Sequence, residues 1–223
     1  VDKLFQFYLP LKYRFFLNME LNPQTLKKAY SFLSKDVCLK FLIDRFSNEI
    51  DINERQDDNF AKALSYLIIE QQVSFKAAIK IKERFKLKIT NLSNNEVLNI
   101  DLDELQSVGI SYRKAEYIKN VYEYFDSSSF DFKSASSENV ITELTKIKGI
   151  GLWSSEMFLM FVLLRIDIFS KGDLALMNSI KRNYNIDLKQ TNDLDKLIDS
   201  WSPYKTVASL LLWKSIEEGY FYS

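Results

Sequence analysis

A chain of 223 residues with 47% hydrophobic residues can bury one large core or two small ones. Its 30 basic and 30 acidic side chains cancel, which excludes a globally basic nucleic-acid binder and confines any affinity for polyanions to local patches and backbone amides. The single cysteine, Cys38, excludes an intramolecular disulfide and a cysteine-ligated zinc or iron–sulfur site. The complete absence of histidine removes serine–histidine and cysteine–histidine catalysis and the common zinc hydrolase sites. Chemistry must therefore rest on carboxylate, lysine, tyrosine or hydroxyl groups. Five glycines and three prolines among long Leu/Ile/Lys/Glu runs favour a mostly helical fold. A lone cysteine fits a reducing, intracellular compartment, and the opening VDKLFQFYLPLKYRFF lacks the pattern of a signal peptide. The apolar run Met157 to Leu164 is too short to span a bilayer, so no membrane partner is expected.

In chain order, residues 11–17 alternate apolar and charged side chains and read as a short strand limited by Pro10. Helices follow from about Pro23 to Ser34, with Asn22 as cap and proline at the first position, and from Asp36 to Phe46. Residues 44–58 hold six acids and two bases, whereas residues 76–88 hold six bases and one acid, so charge is segregated along the chain; solvated helix faces account for both runs equally well. Asn59 caps a helix ending near Glu70-Gln71-Gln72-Val73-Ser74, and Ser74 opens the basic helix. Ser93 and Glu96 form a capping box, Asp101 to Ser107 reads as a further helix closed by Gly109, and Ser111 restarts a helix to Phe125. A serine-rich loop over residues 126–137 leads on. Three more helices are expected, roughly Leu174 to Tyr184, Leu194 to Ser200 and, started by Ser202-Pro203, Pro203 to Glu218.

The most informative stretch is Leu144-Thr-Lys-Ile-Lys-Gly-Ile-Gly-Leu-Trp-Ser-Ser-Glu-Met157. Apolar stripes at helical spacing lie on both sides of Lys148-Gly149-Ile150-Gly151, so a helix ends, the chain turns, and a second helix starts. Two glycines bracketing one apolar residue suggest positive φ or a close approach. A turn feeding a helix N-terminus presents backbone N–H groups beside the positive end of the dipole, which is a seat for phosphate. An ordinary helix–helix turn with a glycine cap fits the same residues.

About 20 residues later comes Asp167-Ile-Phe-Ser-Lys-Gly-Asp173-Leu-Ala-Leu. The order of glycine hairpin, very apolar helix and DxFxxxD resembles the helix-hairpin-helix (HhH-GPD) DNA glycosylases, and within them the alkylbase, 3-methyladenine DNA glycosylase II, branch. The likeness covers roughly residues 18–219. It extends to LIIEQQVSFKAA, which places Gln72 as the wedge that fills the gap left by an extruded nucleotide, and to Trp201-Ser-Pro-Tyr204-Lys-Thr-Val-Ala208 with Trp213 beyond. Helix-end hydrogen bonding explains Gln71 and Gln72, and core packing explains Trp213, without that role. The phrase Gly109-Ile-Ser111-Tyr-Arg-Lys114-Ala reads as a degenerate second hairpin. Ser170 and Ser155 depart from the family pattern, where proline and alanine are usual.

The resemblance implies an all-α, two-lobed fold, with a central lobe over residues 59–166, a second lobe from residues 1–58 and 167–223, a cleft between them, and a short N-terminal β remnant. It implies that Asp173, ionised at a helix N-terminus, stabilises the oxocarbenium-like sugar formed when the bond to a damaged base breaks. Taken alone, Asp173 is equally an N-cap worth about 1 kcal/mol. Asp167 is read as structural. Trp153, Trp213 and Tyr204 are the expected walls of a pocket for a cationic alkylated base. Lys148 and the amides of Gly149, Ile150 and Gly151 are expected to hold DNA, with a monovalent cation on the hairpin carbonyls as the sole metal implied and no cofactor. Family members that also nick the strand carry a lysine two residues after the second hairpin glycine; here Trp153 stands there, which implies a monofunctional enzyme. The expected partner is double-stranded DNA containing damaged bases, met by a monomer. Two rivals remain open on the sequence: a glycosylase for neutral lesions such as uracil, hypoxanthine or an oxidised purine, and a non-enzymatic helix-hairpin-helix DNA-binding module.

Overall fold

The computed structural model describes residues 20–53, 56–186 and 191–222. Among these the chain forms twelve α-helices, and the only β pairing is an isolated antiparallel bridge between Glu20 and Arg165. The all-α class that the resemblance implies is the one observed among the described residues. The strand expected over residues 11–17 lies outside the described residues.

The helices divide between two compact units, one formed by residues 1–54 and 163–223, the other by residues 55–162. The first contains α1 (Pro23–Leu33), α2 (Val37–Phe46), α10 (Leu174–Tyr184), α11 (Thr191–Ser200) and α12 (Lys205–Glu217). Its two chain segments are joined by the Glu20–Arg165 bridge and by a hydrogen bond from Leu21 N to Leu164 O at 2.6 Å. Leu39, Leu42, Phe46, Ile180, Leu211 and Leu212 are fully buried in its core. Polar groups fix how α10 meets α12. The hydroxyls of Ser179 and Ser215 lie 2.7 Å apart, and Asn183 Nδ2 donates to both hydroxyls at 3.0 Å. Asn183 Oδ1 accepts from Tyr222 N at 2.9 Å, so every member of this buried group has a partner, as burial requires.

The second unit contains α3 (Phe60–Glu70), α4 (Phe75–Ile89), α5 (Asn94–Asn99), α6 (Leu102–Gln106), α7 (Tyr112–Ser127), α8 (Ser137–Leu144) and α9 (Leu152–Phe161). Helix α9 has Met157, Phe158, Leu159 and Met160 on consecutive positions, all buried, so its second half is apolar on every side and sits in the core. Edge-to-face aromatic pairs anchor it: Phe158 to Phe60 at 5.3 Å and to Phe132 at 5.7 Å between ring centroids.

Local chemistry explains where most of these helices begin. Asn22, Asp36, Asn59, Ser74, Ser93, Ser111 and Ser136 each accept a backbone N–H of the first turn, and Asn22–Thr25 and Ser93–Glu96 are reciprocal capping boxes. The last helix departs from expectation. It opens at Lys205, with Tyr204 at the N-cap, rather than at Pro203. Asp167 explains the shift, because its carboxylate accepts from Lys205 N at 3.4 Å and from the Ser202 hydroxyl at 2.7 Å, capping the helix from a distant segment. Helix α11 starts at Thr191, earlier than the expected Leu194, and α7 runs on to Ser127.

Candidate functional site

In the second unit, α8 ends at Leu144 and α9 starts at Leu152, and the turn between them closes through Ile147 N to Leu144 O and Ile150 N to Ile147 O, both 3.0 Å. The two glycines of this turn differ in what requires them. Gly149 has φ of 109°, and a Cβ there would lie 2.2 Å from Cγ of Tyr117, so both backbone and packing demand glycine. Gly151 has an ordinary φ of −108°, and a Cβ there would meet no heavy atom within 4 Å. The expectation that both glycines need an unusual backbone therefore holds for Gly149 alone; nothing in the unit itself requires glycine at 151. Gly151 is the exposed N-cap of α9 and, having no side chain, supplies no side-chain cap to the positive end of that helix.

Lys148 is exposed, and its carbonyl accepts Asn120 Nδ2 at 3.1 Å. Ile150 is 5% exposed and works as an anchor of the turn, so its contribution to a ligand can come from its backbone only. Trp153 lies in the first turn of α9 and is half-buried. Arg113, exposed on α7, donates to the Tyr117 hydroxyl at 2.5 Å, and the same Tyr117 ring underlies Gly149. The hairpin thus rests on the α7 surface made by Tyr117 and Asn120, a support that the sequence reading did not identify.

The turn between α3 and α4 meets the same hairpin. Gln71 Nε2 donates to Gly149 O at 3.1 Å and to the Ser154 hydroxyl at 2.9 Å. Lys114 Nζ donates to Ile69 O at 3.0 Å and Gln71 O at 2.6 Å, completing the carbonyl end of α3. Burial lowers the Lys114 pKa from the ordinary lysine value. Gln72 is exposed and has φ of 54°, a left-handed backbone that a non-glycine residue adopts at a cost. The Gly109-to-Ala115 phrase was the sequence signal for Lys114, although it pointed to a second hairpin rather than to a helix-end lysine.

In the first unit, Asp173 is the N-cap of α10 and is 9% exposed. Its Oδ1 accepts Leu176 N at 2.9 Å and Trp213 Nε1 at 3.0 Å. Two N–H donors thus fix the orientation of this side chain at the helix N-terminus. Trp213, expected as a pocket wall, is half-buried and orients the carboxylate through its indole N–H. Tyr204 is 8% exposed, with its ring 5.4 Å from that of Phe32, so most of its surface is spent in the core of the unit. Asp167 binds Ser202 and Lys205, a structural use consistent with its reading from sequence.

Among the described residues no group of three or more His, Cys, Asp or Glu side chains could hold a metal ion. A cation on the hairpin would depend on backbone carbonyls. Those of Lys148 and Gly149 each already accept one side-chain amide donor, which leaves a second lone pair on each oxygen.

These features, a glycine hairpin opening an uncapped apolar helix and an N-cap aspartate on a later one, are matched by known proteins. A model of the HhH-GPD superfamily of base excision DNA repair proteins matches residues 66–203. The chain belongs to this superfamily. Among the relatives of this chain, the DNA-3-methyladenine glycosylase homologue YfjP of Bacillus subtilis is 31% identical over 162 residues, covering 67% of this chain and 56% of that protein. DNA-3-methyladenine glycosylase 1 of Schizosaccharomyces pombe is 32% identical over 160 residues, covering 66% of this chain and 68% of that protein. The chain thus spans little more than half the length of the first of these relatives. In solved structures the HhH-GPD fold recurs in the Schizosaccharomyces pombe 3-methyladenine DNA glycosylase Mag1 in complex with abasic DNA, with a TM-score of 0.77 and 28% identity over 85% of this chain and 97% of that one.

Proposed function

We propose that this HhH-GPD protein is a monofunctional DNA glycosylase of base excision repair that extrudes and removes alkylated, 3-methyladenine-type bases, with Asp173 as its catalytic carboxylate. The observation that carries the reading is the setting of Asp173, an N-cap carboxylate held by a backbone N–H and an indole N–H. An N-alkylated purine is cationic, so it departs as a neutral molecule with the electron pair of the C1′–N bond and needs no proton from a histidine that the chain lacks. The sugar becomes an oxocarbenium-like cation, which a fixed carboxylate stabilises electrostatically. Water adds to C1′, and its proton passes to the carboxylate or to solvent. The names and DNA-bound structure of relatives support the substrate class.

The absence of strand nicking follows in this reading from Trp153, an indole where a Schiff base would need an amine. Phosphate contact at Gly149, Ile150 and Gly151, with Lys148 adding charge, positions the duplex, and Gln72 enters it. The partner is double-stranded DNA, bound by a monomer inside the cell.

Single-turnover release of 3-methyladenine and 7-methylguanine from alkylated duplex DNA tests the reading. Asp173→Asn is expected to slow release by at least about a hundredfold while duplex binding persists, and no strand scission accompanies release. Duplex binding without release by the intact chain would instead point to a neutral lesion or to a binding module, which a uracil and hypoxanthine panel separates.

A further inference from the structure

The turn that carries Gln72 is held by two side chains, one of its own and one from α7. Gln71 reaches from the end of α3 to the hairpin carbonyl of Gly149 and to the hydroxyl of Ser154 in the first turn of α9. Lys114, from the first turn of α7, closes on the carbonyls of Ile69 and Gln71. A cation at the carbonyl end of a helix is favoured by the dipole, and here it also bonds the carbonyl of the residue directly before Gln72. Left-handed backbone at a non-glycine residue persists only where the surroundings over-determine it, and these four hydrogen bonds supply such surroundings.

We propose that Gln71 and Lys114 are positioning residues that splice the Gln72 turn to the glycine hairpin, so that seating a phosphate on the hairpin and driving Gln72 into the duplex are one event. This rests on the reading of the chain as a base-extruding glycosylase. Neither residue touches the reacting atoms in this scheme. Gln71 sets where the turn lies relative to the Gly149 backbone, and Lys114 sets the direction in which the chain leaves α3. A side chain inserted between bases must arrive within a fraction of an ångström of its place, so a loosened turn would still let the hairpin bind while extrusion failed.

The test uses the full chain with Gln71→Glu, which keeps the size but removes both N–H donors, and Lys114→Met, with Lys114→Arg as the cationic control. Hydrogen exchange of the amides of residues 69–74 in the free protein reports the splice without any DNA. It is expected to accelerate in Gln71→Glu and Lys114→Met and to return toward the parent rate in Lys114→Arg. Fluorescence of 2-aminopurine placed beside an alkylated base reports extrusion. At saturating protein its amplitude or rate is expected to fall roughly tenfold in the first two variants, with duplex affinity within about threefold of the parent. Unchanged exchange in both variants overturns the proposal, as does extrusion that survives once the turn has loosened. An intact chain that binds duplex but extrudes nothing overturns the glycosylase reading instead, and the exchange data still decide whether the splice exists.

Discussion

The ring of Tyr117 fills the space that a side chain at Gly149 would need: a Cβ built there would fall 2.2 Å from Tyr117 Cγ. Gly149→Ala must therefore displace the ring and also hold alanine at φ of 109°. Together these are expected to cost about 2–4 kcal/mol, read as a lower midpoint in urea. Gly151→Ala meets neither penalty and is expected to cost under about 1 kcal/mol. It should nonetheless weaken duplex binding, because a methyl on that exposed backbone stands where a phosphate would approach. Equal stability losses in the two variants would contradict this division of roles.

Trp213→Phe keeps an aromatic ring and removes the N–H that Asp173 accepts at 3.0 Å. A hydrogen bond to a charged group contributes about 1.5–3 kcal/mol, so base release is expected to slow by about ten- to a hundredfold, less than in Asp173→Asn. Single-turnover kinetics at saturating enzyme distinguish this from weaker binding. If Trp213 were a pocket wall alone, phenylalanine would preserve most of the rate.

Cys38 is 4% exposed, and its thiol pKa is pushed up to about 12, chiefly by burial and further by the Asp36 charge, with a Tyr184 hydrogen bond acting the other way. A folded pKa above the unfolded value of 9.0 means that the unfolded chain releases this proton first. The stabilisation is fully present below pH 9.0 and is lost as pH rises toward about 12, at up to about 1.4 kcal/mol per pH unit. Burial raises the Tyr30 pKa to about 12 with the same sign, so Cys38→Ala should flatten the alkaline slope by at most one proton without abolishing it. Native protein at pH 8 is expected to react with a thiol reagent at the rate of global opening.

With equal numbers of acids and bases, the proposed DNA binding would rest on local charge. On α4, Lys82 pairs with Glu70 at 2.5 Å and Lys88 with Glu104, while Lys76 and Lys80 are exposed close to the Gln72 turn in sequence. Replacing Lys76 and Lys80 by alanine is expected to reduce the slope of log affinity against log salt by about 2 and to leave the rate of bound-state excision unchanged. An unchanged slope would assign the basic run to solvation.

Helix starts were legible because capping is a transaction between residues three apart, as at Asn22 and Thr25 or Ser93 and Glu96. The hairpin was legible for the same reason: its glycines and the stripes around them are contiguous. What makes the hairpin work was not. Tyr117 beneath Gly149, Asn120 on the Lys148 carbonyl and Gln71 on the Gly149 carbonyl are contacts between distant segments, and no spacing rule predicts them. Tyr204 and Trp213 show a related limit. Aromatic residues around a buried helix carry no mark of which face meets the core and which meets a ligand. The N-terminus of α12 departs from the sequence expectation because its cap, Asp167, comes from elsewhere in the chain.

The first unit is built from two stretches of chain with the whole of the second unit inserted between them. During synthesis, residues 55–162 leave the ribosome as one continuous run and can complete their core while α1 and α2 still await most of their partners. The bond from Leu21 N to Leu164 O and the Glu20–Arg165 bridge can form only after the insert has emerged. The helix that bears Asp173 comes after Arg165 in the chain, so the unit with the carboxylate can be completed only after the whole hairpin unit has been synthesised.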